Sequence, residues 1–124
     1  MREQAGLTQN TTSYSLGFQM LQTFMQYPDL WPYFYENKKA ESDISKEKST
    51  RIEAMALMIL DYYEAIVCMN RYNELSKEEK AGWDKYFIEQ INKSPAIQAV
   101  YEKYKSSYRY TLKIPYEKAI KELK

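Results

Sequence analysis

Histidine is absent from this 124-residue chain, and cysteine occurs once. Without histidine the commonest general base and the commonest transition-metal ligand are both missing, which argues against a triad hydrolase or a zinc enzyme. A single cysteine, Cys68, closes no internal disulfide and suits a reducing compartment. Its place in an apolar helical stretch makes it a small core residue rather than a nucleophile. Three glycines and four prolines leave few places to break a helix, so long helices with short connections are expected. Glycine-rich phosphate loops, paired CxxC, GxSxG and HExxH are all lacking, and with them the chemistries those motifs carry. Long apolar runs are lacking too. The most apolar stretch, from Ala54 to Leu60, stops at Asp61 and Glu64, with Arg51 and Arg71 outside it. A membrane helix needs about 20 mainly apolar residues.

What the chain has in excess is tyrosine, 13 in all. Each ring brings large contact area and a hydroxyl that must reach water or a partner, so the rings are expected at the edges of a core or at an interface. The formal net charge is +1, but it is unevenly spread. Residues 101–124 carry seven bases against three acids, and the first hundred residues are net negative.

Hydrophobic spacing predicts an all-α bundle of about four main helices, at 13–27, 46–72, 77–92 and 95–108, with a short C-terminal helix opening at Pro115. Residues 1–12 are polar, show no basic-then-apolar signal pattern and are expected to fray. Residues 13–124 form a single helical domain, large enough to fold without disulfide or metal. Arg51–Asn70 is the expected centre. Ile52, Met55, Ile59, Tyr63, Ile66 and Met69 make one face, and Leu57, Met58 and Leu60 cover the other. In the first helix, opening at Thr12 or Ser13, Leu16, Met20, Phe24 and Tyr27 line a face with Leu21 and Met25 beside it, and Pro28 stops it. Lys38–Ser49 is a charged linker with Asp43 or Ser45 as cap to the central helix. Ser76 with Glu79 reads as a capping box, and Ser94 with Pro95 as N-cap and first helical residue.

Three constellations offer sites. Asp61 and Glu64 lie three apart on the central helix, where buried carboxylates could bind metal or do acid and base work. The favoured reading is structural: a buried charge is costly unless paired, so these acids reach the surface or accept from a tyrosine, a tryptophan or Arg51, Arg71 or Arg109. The basic tail, with Lys103, Lys105, Arg109 and Lys113 among Tyr101, Tyr104 and Tyr108, could hold single-stranded nucleic acid or anionic lipid. Its rings follow helical spacing, so a core role is preferred. Trp31, Tyr33, Phe34 and Tyr35 form an aromatic cluster that either closes one end of the bundle or meets a protein partner.

Three segments, YPDLWPYFYENK, RIEAMALMILDYYEAIVCMN and GWDKYFIEQINKSPAIQAVYEKYKSSY, together resemble an uncharacterised family of small bacterial helical proteins. The residues carrying the likeness are Pro28, Leu30, Tyr33, Phe34, Asp61, Tyr62, Glu64, Trp83, Tyr86, Ser94 and Pro95, over roughly residues 14–108. The resemblance implies an α-helical domain of unknown function that in many relatives follows an N-terminal membrane helix and faces the cytoplasm. It brings no catalytic residues. The expectation is therefore a non-enzymatic interaction or regulatory domain without cofactor, cytoplasmic or at the inner face of a membrane. Its expected partner is another protein or a second copy of itself. A carboxylate-based metal protein or enzyme is the first alternative, and a nucleic-acid or lipid binder the second.

Overall fold

The computed structural model describes residues 15, 17–71, 76–107 and 116–117. These form an all-α bundle without strands among them. Helix α1 covers residues 17–26. A 3₁₀ turn, Pro28–Leu30, leads into α2, Trp31–Tyr35, and the long α3 spans Lys46–Arg71. Helix α4 is Lys77–Asn92, and α5 is Pro95–Tyr104, continuing as a 3₁₀ turn over Lys105–Ser107. The last helix of the bundle is thus shorter than its spacing predicts. The expected frayed segment 1–12, the caps Thr12 and Ser13, Leu16 and Tyr108 lie outside the described residues, as do the side chains of Cys68 and Met69. Of the helix expected after Pro115, only Tyr116 and Glu117 are described, and both are helical.

The helix boundaries follow from local chemistry. Tyr27 has φ −126° and ψ 69°, outside the helical region, because the proline ring that follows disfavours helical geometry in the residue before it. At the start of α3 the Ser45 hydroxyl accepts from Lys48 N at 3.1 Å, and its carbonyl accepts from Ser49 N at 2.9 Å. The capping box of α4 is complete: Glu79 N donates to Ser76 Oγ and Ser76 N donates to Glu79 Oε1, each at 3.1 Å. Ser94 caps α5 by accepting from Ile97 N at 3.1 Å, and Pro95 occupies the first position, where no N–H is needed.

Helix α3 lies at the centre and packs chiefly against α5. Ile52, Met55, Ala56, Ile59, Tyr63 and Ile66 are buried, as is Leu60, with Leu57 and Met58 partly covered. From α5 come Ile97, Val100 and Tyr101, and from α4 Phe87 and Ile91. Helix α2 crosses one end and buries Tyr33 and Phe34 completely. That end is held by Ser94, which is fully buried: its hydroxyl donates to Tyr33 O at 2.9 Å while accepting from Ile97 N. Beside it Asn37, whose φ of 56° is tolerated by a short amide side chain, donates its backbone N–H to Lys93 O at 2.8 Å.

Helix α1 departs from expectation. Met20 and Phe24 are buried and Tyr27 is partly covered beneath the Arg51 guanidinium, 4.4 Å above its ring. Leu21 and Met25, expected beside that face, are instead exposed at 56% and 81%, together with Phe18 at 63%. The reason is placement: α1 sits at the edge of the bundle, where only one stripe of a helix meets the core.

Two outcomes are expected. Ser94→Ala removes a cap and orphans a buried N–H and a buried carbonyl, so urea denaturation should show a loss of about 2–4 kcal/mol, against about 1 kcal/mol for Ser76→Ala at the exposed capping box. The second concerns acid. The Tyr33 hydroxyl donates to Glu41 Oε2 at 2.7 Å, and with the Glu41 backbone N–H and Lys38 it holds the Glu41 carboxyl at about 2, below the ordinary 4.5. A depressed carboxyl stabilises the fold above its unfolded pKa, and that contribution disappears as pH falls through the folded value. The difference in urea midpoint between the native chain and Glu41→Gln should therefore be constant near neutrality and shrink between pH 4.5 and about 2.

Candidate functional site

A cleft of about 770 Å³ opens between α1 and α4. Its walls follow from the element positions. Gly17, Phe18 and Leu21 face it from α1, Trp31 and Tyr35 from α2, and Glu79, Gly82, Trp83 and Tyr86 from α4, with Tyr62 of α3 between them. Both tryptophans of the chain are here. The volume falls in the range of ligand sites, which are concave, mainly apolar and furnished with a few polar groups.

The rings are fixed by one another. Trp83 meets Tyr62 edge-on at 5.7 Å and 74°, and Tyr86 at 6.0 Å and 88°. Trp31 stacks on Tyr35 at 3.9 Å, and Phe24 supports both from beneath at 5.1 and 5.8 Å. The Tyr35 and Tyr86 hydroxyls share a hydrogen bond of 2.6 Å, which joins α2 to α4 across the cleft. Burial, then Tyr86, push the Tyr35 hydroxyl well above the ordinary phenol range. Gln90 lies close enough to favour the charged form of Tyr35 slightly, but neither of its amide atoms reaches hydrogen-bonding geometry among the described residues. Tyr63, behind this wall, has a buried hydroxyl likewise without a hydrogen-bond partner there, and burial raises its pKa strongly.

Chemically, the described lining is aromatic and apolar with a single carboxylate. Its tyrosines are held protonated or in ring contacts, and its one carboxylate, Glu79, is engaged at the N-terminus of α4. Among the described residues no lysine or arginine lines it. No family model, curated protein or solved structure matches this chain. The cleft is therefore read from its own geometry.

Of the aromatic cluster expected to close the bundle or meet a partner, the structure divides the residues. Tyr33 and Phe34 are fully buried and are corrected from partner candidates to core; Trp31, 40% exposed, and Tyr35 line the cleft. Of the two outcomes open to Asp61 and Glu64, a hydrogen-bonding partner or the surface, the described residues show the surface for Asp61, while the side chains of Arg71 and Arg109 lie outside them. Asp61 is exposed and Glu64 half-covered, and neither bonds to a tyrosine, tryptophan or arginine among the described residues. Arg51 pairs with Glu47 instead. They escape the cost of burial by facing outward; partial desolvation, then the Glu64 charge, raise the Asp61 carboxyl above its ordinary value. Among the described residues no group of three or more acids or thiols could hold a metal, and no helix is long and apolar enough to cross a membrane.

On the basic segment, Lys103 pairs with Glu53 at 3.0 Å and Lys105 with Glu102 at 3.0 Å. Tyr101 stacks on Tyr116 at 3.6 Å, and the Tyr104 hydroxyl donates to Glu53. These rings are occupied and these charges answered. Arg109 and Lys113 lie outside the described residues.

Gly82 is the cleft residue that sequence reading missed. A Cβ built there meets nothing within 4 Å, whereas one at Gly17 comes within 3.3 Å of the Tyr62 ring. The glycine in α4 thus answers no packing need, yet glycine inside a helix costs about 0.5–1 kcal/mol relative to alanine. Its visible effect is to leave the wall of the cleft bare. Gly82→Ala should raise stability in urea by roughly 0.5–1 kcal/mol, and Gly17→Ala by less, because its methyl meets Tyr62.

Proposed function

We propose that this chain is a non-enzymatic interaction domain that seats an amphipathic segment of a partner protein in the α1–α4 cleft. The observation that carries the reading is continuity. Phe18, Leu21 and Met25 are spaced along one exposed face of α1, and Phe18 and Leu21 also enter the cleft. The apolar surface therefore runs beyond the cleft as a helical stripe without a partner among the described residues. Such a ridge exceeds what a small molecule needs and suits a partner helix that lays its own apolar face into a groove. The bare wall at Gly82 and the concentration of both tryptophans support the same reading, since aromatic anchors dominate interface cores. The resemblance to a bacterial helical family without an established activity is compatible with it, and a cytoplasmic setting is part of the proposal.

The test is a selection of random helical peptides displayed against the native chain, followed by measurement with Gly82→Phe. A phenylalanine at 82 enters open space and leaves the capping box intact, so circular dichroism should show an unchanged fold. Peptides enriched on the native chain should shift its tryptophan emission and lose at least tenfold in affinity on Gly82→Phe. Peptides that bind both proteins equally would place the docking surface elsewhere and overturn the reading.

A further inference from the structure

We infer that the cleft contains a cation subsite: the anchor that its occupant inserts is the ammonium or guanidinium of a lysine or arginine side chain. The inference rests on the docking reading above and names the chemistry of one of its contacts. Three observations converge on it. First, Tyr62, Trp83 and Tyr86 line one space with the Trp83 ring steeply inclined to both tyrosines, at 74° and 88°. All three rings contribute to the lining, and the face of an aromatic ring attracts a cation, most strongly in tryptophan. Second, among the described residues the charge of the lining is a single carboxylate, Glu79, with no base beside it to repel a cation or recruit an anion. Glu79 Oε1 accepts from Ser76 N, and Oε2 makes no hydrogen bond or ion pair among the described residues. Third, that carboxylate sits in the first turn of α4 and answers the positive end of its helix dipole, which would otherwise favour an anionic guest.

A lysine or arginine side chain fits both halves of this environment. Its methylene stem lies along apolar walls while its head meets rings and a carboxylate. An acidic anchor would meet π-faces and Glu79, both repulsive. A purely apolar anchor would fill the space without using either.

The experiment uses side-chain analogues as probes on the whole protein, read by the emission of Trp31 and Trp83, both of which line the cleft. The probes are n-butylammonium for lysine, n-propylguanidinium for arginine, 1-pentanol as neutral control and pentanoate as anionic control. Both cations should give saturable shifts at millimolar concentration, roughly 5–10-fold tighter than pentanol, as expected for a cation over partly desolvated rings. Pentanoate should give none. Glu79→Gln keeps the capping box, because glutamine serves at that position as well as glutamate. It should weaken the cations several-fold while leaving pentanol unchanged, and Gly82→Phe should abolish all three. Equal affinity for pentanol and the cations, or tighter binding of pentanoate, would overturn the cation subsite and leave the cleft a purely apolar groove. Failure of every probe while selected peptides still depend on Gly82 would also overturn the subsite. Failure of the probes together with peptides indifferent to Gly82 would overturn the docking reading itself.

Discussion

The Ser94 hydroxyl has no route to water, so both of its hydrogen-bonding capacities must be met inside the protein. It meets them with groups from two different helices, the Tyr33 carbonyl at the middle of α2 and the Ile97 N–H in the first turn of α5. That pairing fixes where α2 crosses the end of the bundle. Once α2 is fixed, Phe34 and Tyr33 are driven into the core and Trp31 and Tyr35 are left on the opposite side, facing α4. The cleft is thus a consequence of how one end of the bundle is closed. The backbone bond from Asn37 to Lys93 and the amide of Gln98 on Ile91 O, at 2.7 Å, reinforce the same corner.

Tyrosine, the compositional oddity of the chain, is used in two ways that follow from the same physics. Where a ring reaches the edge of the core, its hydroxyl finds a carboxylate: Tyr33 on Glu41, Tyr104 on Glu53. These bonds stitch a loop and a helix to the bundle, which explains why the charged linker between α2 and α3 is more than a solvated tether. Where rings crowd toward the cleft, hydroxyls turn to each other, as Tyr35 and Tyr86 do. Behind that pair, Tyr63 Oη and the Gln90 amide are buried without hydrogen bonds to described residues, each a cost of about 1–3 kcal/mol. Among the described residues, this cluster of unsatisfied buried groups lies just behind the cleft wall, and departures from full satisfaction of this kind are found at functional sites.

Local chemistry was readable in the chain because its determinants are close in sequence. The Ser76–Glu79 box, Ser94 followed by Pro95, the stop at Pro28 and the two-sided burial of α3 all depend on residues within a turn or two of one another. What could not be read depends on which elements become neighbours. Leu21 and Met25 have the same periodicity as buried residues, and only the edge position of α1 leaves them open. For Asp61 and Glu64 the flanking apolar residues left two outcomes open, a partner or the surface, and only the placement of α3 exposes Asp61 and half-covers Glu64. Trp31 and Phe34 differ by less than one turn, and their separation into cleft and core is set by Ser94, 60 residues away and beyond any local pattern. The one signal that sequence carried for the cleft was Gly82, a glycine in the middle of an otherwise well-formed, capped helix.

The two glycines that border the cleft do opposite things, and together they define its shape. At Gly17 the helix backbone comes so near Tyr62 that an added methyl would stand 3.3 Å from the ring; here the missing side chain lets α1 close down on α3. At Gly82 the same missing side chain faces open space, and α4 does not close down on α1. Tyr62 lies between them, backed by α1 at Gly17 and set 5.7 Å from the Trp83 ring, and it still lines the cleft. A ring backed by a helix and braced by a neighbouring ring loses little further freedom when something settles against it, so binding there does not have to order a loose wall. The tight contact at Gly17 is in this sense what makes the open one at Gly82 usable: the first makes the floor rigid, and the second leaves room above it.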